Sequence, residues 1–197
     1  MILEGLVTTL SHDGELNIAP MGSRVEPGMA RFVLRPYRSS STYQNLRRHG
    51  EGVFHVTDNV LVLARTAIGL PAEAATRPAD VVCGAILTGC CRYYEFRVLE
   101  LDDHQDRTTI LVATATSGRI RDFFGFNRAK HAVIEAAILA TRLDFHPLPE
   151  ILAEFRKLAT AVEKTGGSDE RRAFALLQDH VREAALARGL DPDRTLL

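Results

Sequence analysis

The stretch "SHDGELNIAPMG", Ser11 to Gly22, decides how the first half of the chain is read. Asp13-Gly14 is a strong hairpin signal, because glycine tolerates a positive φ and an aspartate side chain can bond its own backbone. Residues 2–10, rich in apolar and β-branched types, supply one strand, and residues 15–19 supply its return. The run Asn17-Ile18-Ala19-Pro20-Met21-Gly22 then departs from strand chemistry. Proline removes a ladder donor and glycine adds no packing surface, so the strand is expected to be interrupted at Pro20-Met21-Gly22, with the backbone used for something else.

Working outward, "ARFVLRP" (30–36) reads as a third strand ended by Pro36. "SSSTYQNLRRHG" reads as a helix, with serines to cap it, Tyr43 and Leu46 on one face, and Gly50 past its end. A short apolar strand follows at 52–58. Periodicity lets residues 59–69 be a buried helix or a strand, and the helix is favoured because Asp58 or Asn59 would cap it and Gly69-Leu70-Pro71 would stop it. Residues 72–84 have no clear period and read as an irregular connection. "ILTGCCRYYEFRVLEL" (86–101) and "TTILVATATSG" (108–118) read as long antiparallel partners broken by "DDHQDR", and strands of that length suit a barrel. From residue 128 the character becomes helical. Asn127 is a cap candidate, Val133, Ala136, Ala137 and Ala140 share a face, and two more helices are expected at 148–164 and 169–188. The expectation is an α+β protein: a β-rich body over 1–127 with a helical segment, 128–197, packed on it.

Composition narrows the function classes. The 197 residues are 46% hydrophobic and carry a formal net charge of −1, so no basic field draws the chain to nucleic acid or an anionic membrane. Aromatics make up only 7%, too few for base-stacking platforms. Three cysteines, Cys83, Cys90 and Cys91, give an odd count with no CxxC, which argues for reduced thiols rather than a disulfide or zinc framework. The N-terminus has no basic leader, and no run approaches the ~18 apolar residues of a membrane span. A cytoplasmic protein is expected.

Two places suit an anion. Four hydroxyl residues, Ser39, Ser40, Ser41 and Thr42, stand at a helix start between Arg35 and Arg38 on one side and the helix on the other. Helix N-termini carry unpaired N–H groups and a positive dipole end, so a phosphate would fit there; capping serines with solvated arginines are the plain alternative. Arg128 and Lys130 stand in the first turn of the later helix, where the dipole disfavours cations. Either an anion binds there or both are exposed and screened. Glu135 and Arg142 lie in an otherwise apolar helix; a buried ion pair with some partner is expected of them, with a catalytic carboxylate as the alternative. His55, in an apolar strand, reads as a hydrogen-bonded core residue. The sequence contains no HExxH, GxSxG, GxGxxG or GxxxxGK[ST], so metal, serine-nucleophile, Rossmann and P-loop chemistry have no motif.

Taken in order, "LVTTLSHDGELNIAPMGS" and "FVLRPYRSSSTYQNLRRHGEGVFHVTD" resemble the flavin-reductase-like FMN-binding split β-barrels. With "FNRAKHAVIEAAILATRL" the chain looks most like an archaeal and bacterial group within that superfamily that carries a C-terminal helical extension. The resemblance spans most of residues 2–143. It implies an antiparallel split barrel holding non-covalent FMN at a homodimer interface, and an oxidoreductase that moves hydride or electrons through the flavin. A flavin carrier or sensor, or an interaction protein with an empty pocket, are the alternatives on the same fold. By the same resemblance the ring and ribityl chain meet Asn17, Ala19, Pro20, Met21 and Gly22. The phosphate is held by Ser39, Ser40, Ser41 and Thr42 with Arg35 or Arg38, while Tyr43, Asn45, Asp58, Arg128 and Lys130 are further contacts. The chain departs from the family at His55, where asparagine is common. No dedicated acid or base for a substrate is recognisable.

Overall fold

A computed structural model describes residues 1–103 and 108–191, and they form two compact units. The first comprises Met1–Asp58 and Glu73–Phe123, the second Asn59–Ala72 and Phe124–Leu197. The helical unit therefore draws one short segment from the middle of the sequence and the rest from its end.

The first unit is a closed six-stranded antiparallel barrel in the order β1-β2-β3-β8-β7-β4. Its strands are β1 (Ile2–Leu10), β2 (Leu16–Val25), β3 (Arg31–Leu34), β4 (Glu51–Val56), β7 (Arg92–Asp102) and β8 (Thr109–Arg119). Alternate residues point inward, as a pleated strand requires. Val7, Val25, Phe32, Leu34, Phe54, Phe96, Ile110 and Val112 fill the interior, joined by Tyr43 and Leu46 from α1 (Ser41–His49). Phe32 packs at 5.5 Å between ring centroids against both Phe54 and Phe96. Gly52 makes room for this: a Cβ there would stand 2.7 Å from the Phe96 ring.

β2 corrects the expected interruption. The strand runs unbroken through Pro20, Met21 and Gly22, which pair with Leu6, Gly5 and Glu4. The reason is its other side. β3 joins β2 only at Arg24 and Val25, so residues 16–23 have a strand neighbour on one edge alone. A proline's missing donor is tolerated on such an edge.

The outward face of β1, β4 and β7 is covered by a short hairpin, β5 (Thr76–Pro78) and β6 (Ala85–Leu87), where an irregular connection was expected. Side chains fasten it. The Thr8 hydroxyl donates to the Ala85 carbonyl at 2.6 Å, and the fully buried Glu95 carboxylate accepts from the Asp80, Val81 and Val82 N–H groups at 2.7 to 3.0 Å. Glu51 accepts from the Cys83 N–H at 2.8 Å. The continuous strand expected over 86–101 is split, because Leu87 and Cys90 close a turn and the Cys91 N–H bonds to Val56. Of the expected break at "DDHQDR", residues 104–107 lie outside the described residues.

The second unit contains α2 (Val60–Ala67), α3 (Arg128–Ala140), α4 (Leu148–Thr165) and α5 (Ser168–Ala187). Asn59 caps α2 by accepting from the Val62 N–H, and Asn127 caps α3 by accepting from Lys130. Ala129, Ala132, Val133, Ala136, Ala137 and Ala140 are all buried, so small residues face the neighbouring helices. Phe155 of α4 and Phe174 of α5 pack at 5.5 Å between centroids. Glu135 and Arg142 are both exposed, which corrects the buried ion pair expected of them: Glu135 falls on the solvent side of the alanine face of α3, and Arg142 stands in the turn past the end of that helix. No helix among the described residues is long and apolar enough to cross a membrane.

Candidate functional site

The start of α1 is an exposed polar feature of the barrel unit. Ser40 is the cap: its hydroxyl accepts from the Tyr43 N–H at 3.2 Å and donates to the Tyr37 carbonyl at 2.7 Å. Its carbonyl accepts the Gln44 N–H at 3.2 Å. The Ser41 and Thr42 N–H groups have no acceptor among the described residues, as the first turn of any helix leaves some donors over. No acidic residue stands in that turn, whereas Arg47, Arg48 and His49 stand in the last, where the dipole favours them.

Arg35, Arg38, Ser39 and Ser41 are exposed around this end, and neither guanidinium makes a hydrogen bond or ion pair among the described residues. Asp103 senses Arg38 at longer range. Hydrogen bonds from Thr108 and Tyr43 hold its carboxyl below the usual range, with Arg38 and Arg47 adding to the effect. Two unpaired cations, free N–H groups and hydroxyls suit an anion with several acceptor oxygens.

Directly beneath lies a neutral polar cluster. Thr9 and Asn17 are cross-strand partners in the hairpin turned by Asp13-Gly14, while Thr42 and Asn45 share a face of α1. Asn17 Nδ2 donates to Thr9 Oγ1 at 3.1 Å and to Thr42 Oγ1 at 3.0 Å. Asn45 Nδ2 donates to Thr9 Oγ1 at 3.0 Å. Thr9, Thr42 and Asn45 are buried, and Asn17 is half-buried. Two sequence motifs 25 residues apart therefore meet in one hydrogen-bonded group.

The remaining candidates are more dispersed. Ala19, Pro20 and Met21 are half-buried along the one-sided stretch of β2, and Met21 packs against the barrel core. Gly22 is exposed, and a Cβ there would stand 2.7 Å from the Glu4 carboxylate, so its small size serves that neighbour. Tyr43 is a core residue whose hydroxyl donates to Asp103 at 2.8 Å. Asp58 is buried in an ion pair with Arg121.

Arg128 and Lys130 belong to the helical unit. Arg128 is exposed. Lys130 lies 2.8 Å from the Glu170 carboxylate and over the Phe124 ring, so the anion that its position at a helix start called for is a side chain of α5. Burial pushes Glu170 upward, but Lys130 and the Gly167 N–H outweigh it and hold the carboxyl below its ordinary value.

Other reactive side chains are quiet. His55 is fully buried, with the Leu87 N–H donating to Nε2 at 3.1 Å, which leaves Nδ1 to donate to the Leu6 carbonyl at 3.2 Å. Burial drives its pKa down to about 4. Cys90 is pushed up to about 11, chiefly by burial and then by Cys91, so it stays a thiol. No group of three or more His, Cys, Asp or Glu among the described residues is placed to hold a metal ion.

Sequence reasoning missed Thr9 as a site residue and Glu95 as the anchor of the hairpin. A two-residue turn at Asp13-Gly14 would have set Thr9 opposite Ile18; the loop is instead the three residues His12-Asp13-Gly14, closed by the Ser11 N–H on the Glu15 carbonyl, and this sets Leu10 opposite Leu16 and Thr9 opposite Asn17. Glu95 was not recoverable, because its three partners belong to a connection with no period of its own.

Residues 3–121 match the family model described as protein of unknown function (DUF447) N-terminal domain, and residues 127–179 match the model described as protein of unknown function (DUF447). The chain belongs to the DUF447 family. No curated protein matches it. Among solved structures, DUF447 topology is shared with the FMN-bound protein MM1853 from Methanosarcina mazei: 20% identity, 91% of this chain and 94% of that one, TM-score 0.78. The 2-nitrobenzoate 2-nitroreductase NbaA of Pseudomonas fluorescens is 16% identical over 59% of this chain and 64% of its own, TM-score 0.51. An FMN-binding protein from Thermus thermophilus, with bound 1-cyclohex-2-enone, is 12% identical over 60% and 70%, TM-score 0.52. At these identities the likeness is one of fold, and this DUF447 barrel with its helices has the topology of the FMN-binding split barrels.

Proposed function

We propose that this DUF447 protein binds FMN without a covalent bond, with the phosphate at the start of α1 and the ring along residues 17–22 of β2, and acts as an FMN-dependent oxidoreductase. The observation that carries the reading is the bond from Asn17 to Thr42, which ties the open edge of β2 to a helix start flanked by two arginines that make no hydrogen bond or ion pair among the described residues. The FMN-bound state of MM1853, a protein of the same topology, supports it.

The residues divide the work by chemistry. Ser41 and Thr42 offer backbone N–H groups, Ser39, Ser41 and Thr42 offer hydroxyls, and Arg35 and Arg38 balance a phosphate dianion. Ala19 and Met21 give apolar surface, and the one-sided edge of β2 leaves backbone groups able to meet a planar heteroaromatic ring. Bound FMN supplies the redox chemistry, and the protein supplies orientation and electrostatics. A homodimer in the cytoplasm, with the flavin near its interface, completes the proposal. The four-residue polar cluster contains no titratable side chain, which favours as second reading a flavin carrier whose reduction is done by a partner.

The absorbance spectrum of the purified protein tests the first point, followed by anaerobic addition of NADH or NADPH. A yellow protein bleached by either supports the oxidoreductase. Bound flavin that neither reduces supports the carrier. Colourless protein that leaves FMN fluorescence unquenched on titration defeats both.

A further inference from the structure

We infer that Thr9 is a positioning residue that sets the donor polarity of this site; the inference rests on the flavin reading above. A hydroxyl oxygen has two acceptor positions. In Thr9 both are taken, by the side-chain amides of Asn17 and Asn45 at 3.1 and 3.0 Å. One buried oxygen thus fixes the rotation of two amides.

The consequence passes to Thr42. The Asn17 amide nitrogen has two hydrogens, one bonded to Thr9 and the other to Thr42. Thr42 therefore serves as an acceptor within the protein. Its own hydroxyl hydrogen has no acceptor among the described residues, although the side chain is only 1% exposed. A buried hydroxyl hydrogen left unused costs free energy, and a phosphate oxygen, which only accepts, would relieve that cost. Asn17 in turn presents its carbonyl oxygen and has no hydrogen left to give. Thr9 thus makes Thr42 an obligate donor and the site selective for a phosphorylated flavin. Without Thr9 the Asn17 amide is free to turn, and Thr42 can point its hydrogen inward at the Asn17 oxygen.

The test compares FMN with riboflavin, which lacks the phosphate. Wild type, Thr9→Val and Thr9→Ser are titrated with each by flavin fluorescence, and thermal unfolding is followed without ligand. Thr9→Val is expected to lower the preference for FMN over riboflavin by about tenfold, the effect of one charged hydrogen bond, while Thr9→Ser keeps it within about threefold of wild type. Thr9→Ala carries the same contrast should the valine variant not fold. A lower unfolding temperature with an unchanged preference would mean that Thr9 only stabilises the hairpin, and would overturn the inference alone. Wild type that fails to bind FMN would overturn the flavin reading and the inference with it.

Discussion

The starts of α1 and α3 look alike in sequence and differ in what meets their cations. Each helix has a side-chain cap, Ser40 or Asn127, and each has basic residues close by. At α3, Lys130 is met by the Glu170 carboxylate and the Phe124 ring, so its charge is used inside the helical unit. At α1, Arg35 and Arg38 are met by no carboxylate within bonding distance among the described residues. Capping and dipole are local properties that both helices possess. What separates an anion site from a structural ion pair is whether the tertiary structure has already delivered a carboxylate.

The two units also respond to acid through opposite chemistry, and the first prediction uses that. His55 in the barrel unit titrates near 4 when folded against an ordinary 6.5. Between those values the unfolded chain binds more protons, so the barrel loses stability as pH falls from about 6.5 to about 4, by about 3 kcal/mol in all. Urea denaturation at several pH values checks it, and His55→Asn should flatten that part of the profile. A profile unchanged by the substitution would show that His55 is not the group whose protonation destabilises the barrel.

The next largest effect concerns α1. Replacing Arg35 and Arg38 together with alanine should weaken FMN by about a hundredfold, two charged hydrogen bonds, with stability changed by less than about 0.5 kcal/mol because both are exposed. Equal losses of FMN and riboflavin would place the phosphate elsewhere.

Glu170→Gln is expected to show the reverse pattern, with stability lower by about 1 kcal/mol at neutral pH and FMN affinity unchanged. The sign of its pH dependence is that of a depressed carboxylate. Its contribution is complete above the unfolded pKa and is lost as pH falls through the lower folded value. A flavin affinity that fell with Glu170→Gln would erase the contrast between the two helix starts. Arg128→Ala should do least, below about 0.5 kcal/mol in stability and about threefold in FMN affinity. A loss as large as that of the Arg35 and Arg38 pair would make α3 a second anion site.

Much of the secondary structure was legible because it is written in local chemistry. Asn59, Asn127 and Ser40 cap where capping residues precede helical periods, and Gly50 ends α1 with a φ of 66°. Pro20 misled for an instructive reason. Local rules say that proline spoils a ladder, but whether a strand needs donors on both edges depends on where β3 stops pairing. The hairpin at 76–87 was invisible for a similar reason: Thr8, Glu51 and Glu95 hold it, and all three come from strands distant in sequence.

By itself the sequence determined the helices and most of the barrel strands, the caps, the hairpin turn at Asp13-Gly14 and the concentration of hydroxyls and arginines before α1. These depend on φ preferences, hydrogen-bond donors and periodicity within a few residues of one another. Only the tertiary structure decided that Asn17 and Thr42 touch, that Thr9 holds the amides of Asn17 and Asn45, and that Lys130 is answered by Glu170 while Arg35 and Arg38 meet no carboxylate among the described residues. Each of those is a distance between segments far apart in the chain, set by barrel closure and helix packing, and a charge or a donor acquires its role from the partner that closure brings to it.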